Sequence, residues 1–231
     1  MTGKNIDSFV LSLGGSLIVT DHGIDTNFLK RFRRFILDQV AQGRRFYLVV
    51  GGGKTARSYI GAALKVAAVS SDDRDWVGIE ATRLNARLVK VVFGRSAYSE
   101  IVIDPTKKID SKQPIICAAG YVPGCSTDYD AVILAKNNNI KTVINLSNID
   151  FVYDRDPRRH SEAKKLMRVS WPDFRAIVGS KWQPGMNVPF DPAASRQAAQ
   201  LGLKVVILNG RKLSNLARCL DGETFRGTSI E

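Results

Sequence analysis

Short apolar runs alternate with longer amphipathic stretches along most of the chain. Five apolar runs lead directly into glycine, serine or asparagine, at residues 9–13, 46–50, 114–119, 142–146 and 204–208. Helical periodicity fills intervals between them, at residues 26–42, 55–66, 73–93, 127–137 and 192–201. This alternation predicts an α/β fold in which a mainly parallel central sheet is sandwiched by helices.

The loops that follow these strands are the places where a ligand is expected. In parallel sheets, ligands bind beyond the carboxyl ends of the strands, because loops and helix N-termini converge there. We therefore expect the five small-residue loops to share one rim of the sheet.

A glycine triplet at residues 51–53 separates an apolar strand from a helix that begins near Lys54. Glycines allow backbone N–H groups to approach a phosphate closely, and a helix N-terminus adds partial positive charge. Arg57 follows one turn later, where its guanidinium can bind phosphate oxygens. A Walker-A loop is excluded, because Leu48 occupies the place of that motif's first glycine.

A second elbow of small residues, Gly14, Gly15 and Ser16, follows the first strand. A glycine pair after a strand is common and carries little weight alone. Two phosphate cradles in one chain, however, indicate two ligands whose phosphates face each other. This is the geometry of phosphoryl transfer.

Two polar segments have both a structural and a functional interpretation. Residues 120–128 combine a Pro-Gly turn with hydroxyls and Asp128, so Ser126 or Thr127 is either a helix N-cap or a ligand contact. Residues 148–157 contain Asp150, Asp154 and Asp156, which either form turns or coordinate magnesium. The sequence alone leaves both questions open, and it identifies no metal ligand.

Composition narrows the class of ligand and the compartment. The formal net charge of +12 favours anionic ligands. The cationic residues are scattered with few aromatics between them, so we do not expect nucleic acid as the primary ligand. No apolar run reaches the roughly 18 residues of a membrane span, and no signal peptide is evident. Three cysteines without metal-ligand spacing suit a reducing compartment, so we expect a cytoplasmic protein without a membrane partner.

The order of these motifs resembles the amino-acid-kinase superfamily, and most closely its archaeal-type uridylate kinases. The matching blocks are LGGSL at 13–17, VVGGGKTARSYI at 49–60, DWVGIEATRLNA at 75–86, GYVPGCSTDYDAV at 120–132, NIDFVYDRDP at 148–157, FDPAASRQA at 190–198 and GTSI at 227–230. The resemblance implies one domain over residues 1–231 that phosphorylates UMP to UDP with ATP and Mg²⁺, in pyrimidine nucleotide biosynthesis. It further implies that residues 1–110 mainly bind the acceptor, that residues 111–231 mainly bind the donor, and that the chain forms a homo-oligomer, commonly a hexamer.

The resemblance also implies roles for individual residues. For ATP these are Gly14, Gly15, Ser16, Gly53, Arg57, Ser147, Tyr153 and Asp156. For UMP they are Gly51, Gly52, Asp75, Tyr121, Val122, Pro123, Gly124, Cys125, Ser126 and Thr127. We assign the catalytic roles to Lys54, Arg57 and Asp128.

Two positions depart from the family pattern. Ser12 stands where the wider superfamily has a lysine, so another cation must offset phosphate charge; the candidates are Lys54, Arg57, Arg83 and magnesium. Phe151 stands where the family usually has glycine, which leaves ATP or GTP open as donor. The missing lysine keeps a second hypothesis open, a nucleotide-binding or oxoanion-storage oligomer of the same fold without turnover.

Overall fold

The computed structural model describes residues 6–180 and 188–231, so Trp182 lies outside the described residues. One eight-stranded sheet forms the centre, in the order β10-β12-β11-β7-β1-β4-β6-β5. Its strands are β1 (Ser8–Leu13), β4 (Arg45–Val50), β5 (Ala97–Val102), β6 (Ile115–Ala118), β7 (Thr142–Ser147), β10 (Arg168–Val169), β11 (Lys204–Asn209) and β12 (Thr228–Ile230). Two small hairpins pair β2 (Val19–Thr20) with β3 (Gly23–Ile24) and β8 (Val152–Tyr153) with β9 (Lys165–Leu166).

The helices cover both faces of this sheet. They are α1 (Gly15–Ile18), α2 (Thr26–Ala41), α3 (Gly53–Val66), α4 (Ser71–Phe93), α5 (Thr127–Asn137), α6 (Trp171–Val178), α7 (Pro192–Gln200) and α8 (Leu213–Leu220), with a short 3₁₀ helix at Gly94–Ser96. Side-chain caps fix several starts: Asp25 accepts a hydrogen bond from the Phe28 N–H, and Ser70 accepts one from the Asp73 N–H. Each such bond satisfies a backbone donor that the helix itself leaves unpaired.

Successive side chains of each strand point to opposite faces of the sheet, and this divides the core into two layers. In β1, for example, Leu11 and Leu13 pack with α2, α4 and α8, whereas Val10 packs with α5, α6 and α7. All of these side chains are fully buried. Because both faces are covered, the central strands are mostly apolar, as expected for a parallel sheet; Ser12 in β1 and Asn145 in β7 are buried polar exceptions.

The fold predicted from the sequence is confirmed, and the strand pairs of the central sheet are parallel except β11 with β12. The five predicted helices and five predicted strands are all present, with shifts of at most two residues at their ends. The sequence reading did not identify α6, α8, the edge strand β5 or the short strands. These elements are short or, in β5, partly exposed, so their periodicity is weak.

None of the helices in the described part of the chain is both long and apolar enough to cross a bilayer.

Candidate active site at the glycine elbows

The two glycine elbows lie in direct backbone contact. Strands β1 and β4 are parallel neighbours with Leu13 opposite Val50, so both strands end at the same edge of the sheet. The Gly51 N–H donates to the carbonyl of Leu13 at 2.9 Å. A Cβ on Gly15 would overlap the backbone of Gly51 and Gly53. The contact therefore requires glycine, and it places the two predicted phosphate cradles side by side.

Gly53 adopts a conformation that disfavours other residues. Its φ is +56°, and a Cβ would overlap the carbonyl of Gly15. Helix α3 begins at this residue, so its free N–H groups start where the two elbows meet.

A buried asparagine that the sequence reading missed holds the second elbow. The Asn85 side-chain amide, on α4, donates to the carbonyls of Gly51 at 2.9 Å and Gly52 at 3.0 Å. Its own carbonyl accepts a longer bond, 3.4 Å, from the Thr55 hydroxyl. A polar residue among apolar neighbours in the DWVGIEATRLNA block was the available signal.

The cations near the elbows are Lys54 and Arg57, on the first turns of α3. The Lys54 ammonium lies 2.7 Å from the Asp21 carboxylate, at the tip of the β2–β3 hairpin. The hydrogen bond and charge of Lys54 hold the pKa of Asp21 below its ordinary value. Arg57 is exposed and close enough to lower the same pKa further. Both cations are therefore accessible to a ligand.

Ser12, at the position of the missing lysine, contacts Asp128. Its hydroxyl donates to Asp128 Oδ1 at 2.9 Å, and the Asn145 amide donates to the same oxygen at 3.0 Å. Burial, and then the charge of Asp191, raise the pKa of Asp128 to about 7. Residues from β1, α5 and β7 thus converge on one carboxyl beside the first elbow.

Helix α4 also holds the segment Tyr121–Thr127, which we call the acceptor loop. Asp75 accepts a hydrogen bond from the Gly124 N–H at 2.8 Å, and Thr82 accepts one from the Gly120 N–H at 2.8 Å. The Arg83 guanidinium lies 3.4 Å from the Tyr121 carbonyl oxygen. Because Gly124 has a φ of +79°, the turn that Asp75 holds is suited to glycine.

Two carboxylates outside α4, those of Asp130 and Asp191, also hold this loop. Asp130 accepts a hydrogen bond from the Tyr121 N–H, and burial raises its pKa to about 7. Ser126 is the N-cap of α5 and also donates to Asp191, which itself caps α7. The capping interpretation of Ser126 is therefore confirmed. The Cys125 thiol is half-buried, and burial and the neighbouring carboxylates raise its pKa.

Of the residues predicted to bind ATP on the second half of the chain, Ser147 lies closest to the elbows. It follows Leu146, whose carbonyl accepts a hydrogen bond from the Gly14 N–H at 3.0 Å. Tyr153 lies in β8, and the adjacent Phe151 is buried with the cations of Lys165 and Arg226 at 5.6 and 6.0 Å from its ring. Phe151 is therefore packed into the structure beside the predicted adenosine site.

The three aspartates at residues 150–156 have separate partners. Asp150 pairs with Lys212 at 2.7 Å, Asp154 accepts from the Lys164 N–H at 2.8 Å, and Asp156 pairs with Arg158 at 3.0 Å. Within residues 6–180 and 188–231, no group of three carboxylates, histidines or cysteines is placed to hold a metal ion. The turn-forming interpretation of Asp154 and Asp156 fits these contacts.

Comparisons with known proteins agree with this geometry. The model of the amino acid kinase family matches residues 7–209. The chain is 33% identical to a uridylate kinase of Thermoplasma volcanium over 227 residues, 97% of this chain and 98% of that one. It is 33% identical to a uridylate kinase of Methanothermobacter thermautotrophicus over 226 residues, 96% and 97% of the two chains.

Solved structures give the same result. The crystal structure of uridylate kinase from Archaeoglobus fulgidus superposes with a TM-score of 0.82 at 33% identity, covering 96% of this chain and 99% of that one. The UMP kinase of Bacillus anthracis, at 19% identity and a TM-score of 0.78, covers 99% and 97% and shares the fold. The resemblance inferred from the sequence motifs is confirmed.

Proposed function

Because the chain belongs to the amino acid kinase family, we propose that it transfers the γ-phosphoryl group of ATP to UMP and produces UDP. The observation that carries the proposal is the backbone contact between the elbows at Gly15 and Gly53. It supports a single chamber in which two phosphate chains meet. The full-length similarity to archaeal uridylate kinases supports UMP as the acceptor.

The reaction needs positioning and charge compensation more than covalent chemistry. A UMP phosphate oxygen attacks the γ-phosphorus in line, and the bond from phosphorus to the β–γ bridging oxygen breaks. ADP leaves with that electron pair. The elbow N–H groups bind the phosphate oxygens, while Lys54 and Arg57 offset the negative charge that the two chains bring together.

The residues present fit Mg²⁺ carried by the nucleotides. Mg²⁺ needs only one or two protein carboxylates and takes its other ligands from phosphates and water. Asp128 supplies the hard oxygen donor beside the first elbow, held in place by Ser12 and Asn145. The ion would neutralise charge on the transferred group, and Asp128 would orient it. Lys54, paired with Asp21 in this structure, is the residue we assign to the missing lysine's role.

We assign the acceptor to the loop Tyr121–Thr127 with Asp75, and the adenosine of the donor to Ser147, Tyr153 and Asp156. The salt bridges of Asp156 with Arg158 and Arg159 leave its turn anchored at the surface. The division into an acceptor part at residues 1–110 and a donor part at residues 111–231 remains a prediction. The acceptor loop belongs to the second part by sequence, although α4 of the first part holds it.

We assign the reaction to the cytoplasm and to a homo-oligomer, with a hexamer as the expected size. The three cysteines are free thiols, as in a reducing compartment. Helix α3 is amphipathic yet has no buried residue, and it exposes Tyr59 and Val66, which are seven residues apart and therefore share one face. An apolar face of this kind suits a second copy of the chain. Light scattering should give an oligomer for the wild-type protein and a smaller species for Tyr59→Glu.

The test is an assay of purified protein with Mg²⁺, ATP or GTP, and UMP, CMP or AMP in turn. We expect UDP from UMP at a rate well above the products of the other acceptors. Equal or faster phosphorylation of CMP or AMP would reject the assignment. Tight nucleotide binding without any product would favour the alternative, a nucleotide-binding or oxoanion-storage oligomer, to which the serine at position 12 points.

A further inference from the structure

A basic cleft lies between α2 and the N-terminal half of α8. Its volume is about 720 Å³, and none of its lining residues is among those predicted to bind ATP or UMP, although Lys212 and Arg226 contact Asp150 and Phe151. The lining includes one carboxylate, that of Asp38, and six cations, which are Arg31, Arg34, Arg211, Lys212, Arg218 and Arg226. A cleft of this volume is in the range of small-molecule sites.

The wall from α2 is built by helical spacing. Arg34 and Phe35 lie three and four residues after Arg31, and Asp38 lies three residues after Phe35, so all four share one face. Arg34 lies 4.0 Å from Asp38 and is mostly exposed. Within the described residues, Arg31 forms no salt bridge within 4.0 Å. The pKa of Asp25 is lowered chiefly by its hydrogen bond with Arg211 and also by the charge of Arg31, so Asp25 is a more distant counter-charge to Arg31.

The opposite wall has a second, independent feature that favours an anion. Helix α8 has Lys212 at its N-cap position, no side-chain cap and no acidic residue in its first turn. Leu213 and Ser214, whose N–H groups belong to that first turn, line the cleft. The partial positive charge of the helix N-terminus therefore adds to that of the arginines.

Ion pairs reduce this charge without removing it. Arg211 pairs with Asp25 at 2.8 Å, Lys212 and Arg226 share Asp150, and Arg218 pairs with Glu223. With Asp38, four carboxylates oppose six cations, which leaves an excess of two positive charges. Asp25, Asp150 and Glu223 do not themselves line the cleft.

We propose that the cleft between α2 and α8 binds a polyphosphate chain, either inorganic or that of a nucleoside triphosphate, at a site separate from the glycine elbows. Arginine forks match the geometry of phosphate oxygens. A nucleic-acid strand would require a longer track with several stacking aromatics, and the cleft offers only Phe35. The bound chain competes with Asp25 and Asp150 for their cations, and Asp150 closely follows Ser147 of the proposed donor site.

The experiment first fills the elbow site with an analogue that joins adenosine and uridine through five phosphates. Failure of this analogue to bind would count against the proposed function alone. Inorganic triphosphate, ATP and GTP are then titrated by calorimetry, into protein saturated with the analogue or, if it does not bind, into the free protein. We expect one site per chain. Similar affinities for the three probes would identify the phosphate chain as the ligand. A clear preference for a nucleotide would show that the cleft also contacts the base.

Arg31→Glu tests the cleft, with Lys30→Glu as the matched control. The two residues are adjacent on α2 and both exposed, but only Arg31 lines the cleft. Arg31→Glu should weaken triphosphate binding at least about tenfold, the worth of one charge-assisted contact, while Lys30→Glu should leave it nearly unchanged. Arg218→Glu, on the other wall, should act like Arg31→Glu.

Three results would overturn the proposal. The first is no heat of binding beyond that of the elbow site. The second is an equal loss of triphosphate affinity in Arg31→Glu and Lys30→Glu. The third is preferential binding of single-stranded RNA with steep salt dependence.

Discussion

The glycine elbows and the acceptor loop lie on the same rim but are held in opposite ways. The elbows are fixed by close backbone packing, in which Gly15 and Gly53 leave no room for side chains. The acceptor loop is fixed by side chains from elsewhere in the chain, chiefly Asp75, Thr82 and Asp130. The comparison indicates that the predicted phosphate site is held by close backbone packing, whereas the predicted acceptor site depends on individual, partly titratable hydrogen bonds.

The largest expected effect comes from adding one methyl group to the first elbow. Gly15→Ala should reduce kcat by about 100- to 1,000-fold, because the overlap with Gly51 and Gly53 displaces the phosphate N–H groups. Gly78→Ala is the control, since its Cβ would meet only Ile60, at 3.9 Å. Steady-state kinetics on both variants measure this, and an active Gly15→Ala enzyme would contradict the rigid elbow.

The acceptor loop should show a pH dependence of stability. The pKa of Asp130 is raised to about 7 by burial, so its contribution to the unfolding free energy is present at low pH and is lost as pH rises through about 7. Asp130→Asn should abolish that loss and be more stable than wild type at pH 8, by roughly 1–4 kcal/mol.

Urea unfolding of the metal-free and nucleotide-free proteins between pH 5 and 8 compares the unfolding free energy of wild type with that of Asp130→Asn. The asparagine can still accept the bond from the Tyr121 N–H, so a large loss of stability at every pH would contradict this role of Asp130.

A smaller effect is expected from the bond between α4 and the Pro-Gly turn. Asp75→Ala should raise KM for UMP by about tenfold, with little change in KM for ATP, because it frees only the Gly124 N–H and a predicted acceptor contact. Asp73→Ala, two residues earlier on the same helix, is the control. Equal changes in both KM values would mean that α4 shifts as a whole.

The smallest effect is expected at the hairpin that holds Lys54. Asp21→Asn removes an exposed ion pair, so the unfolding free energy should change little. KM for ATP should rise only a few-fold, since Lys54 keeps its place on α3. Thermal unfolding and initial-rate kinetics are sufficient for this comparison, and a large loss of stability would show that the pair is structural.

The same contrast explains what the sequence could predict. Glycines after apolar strands marked both elbows, and period-3.6 patterns gave α2 and α5 almost to the residue. The bond from Ser12 to Asp128 joins positions 116 residues apart, and no local pattern contains it. Asn85 was visible as a polar residue on a mostly apolar helix face. Its partners, however, are set by which strand-end loop packs against α4, and no local pattern predicts that.

The contact between the elbows also restricts which substitutions can change the substrate preference of this protein. In the proposed complex, the same few backbone atoms border both phosphate chains, so we expect no substitution there to alter the affinity for one nucleotide while sparing the other. Variants with a new donor or a new acceptor must therefore arise in the loops that surround the bases, such as the one around Phe151, far from the atoms that react.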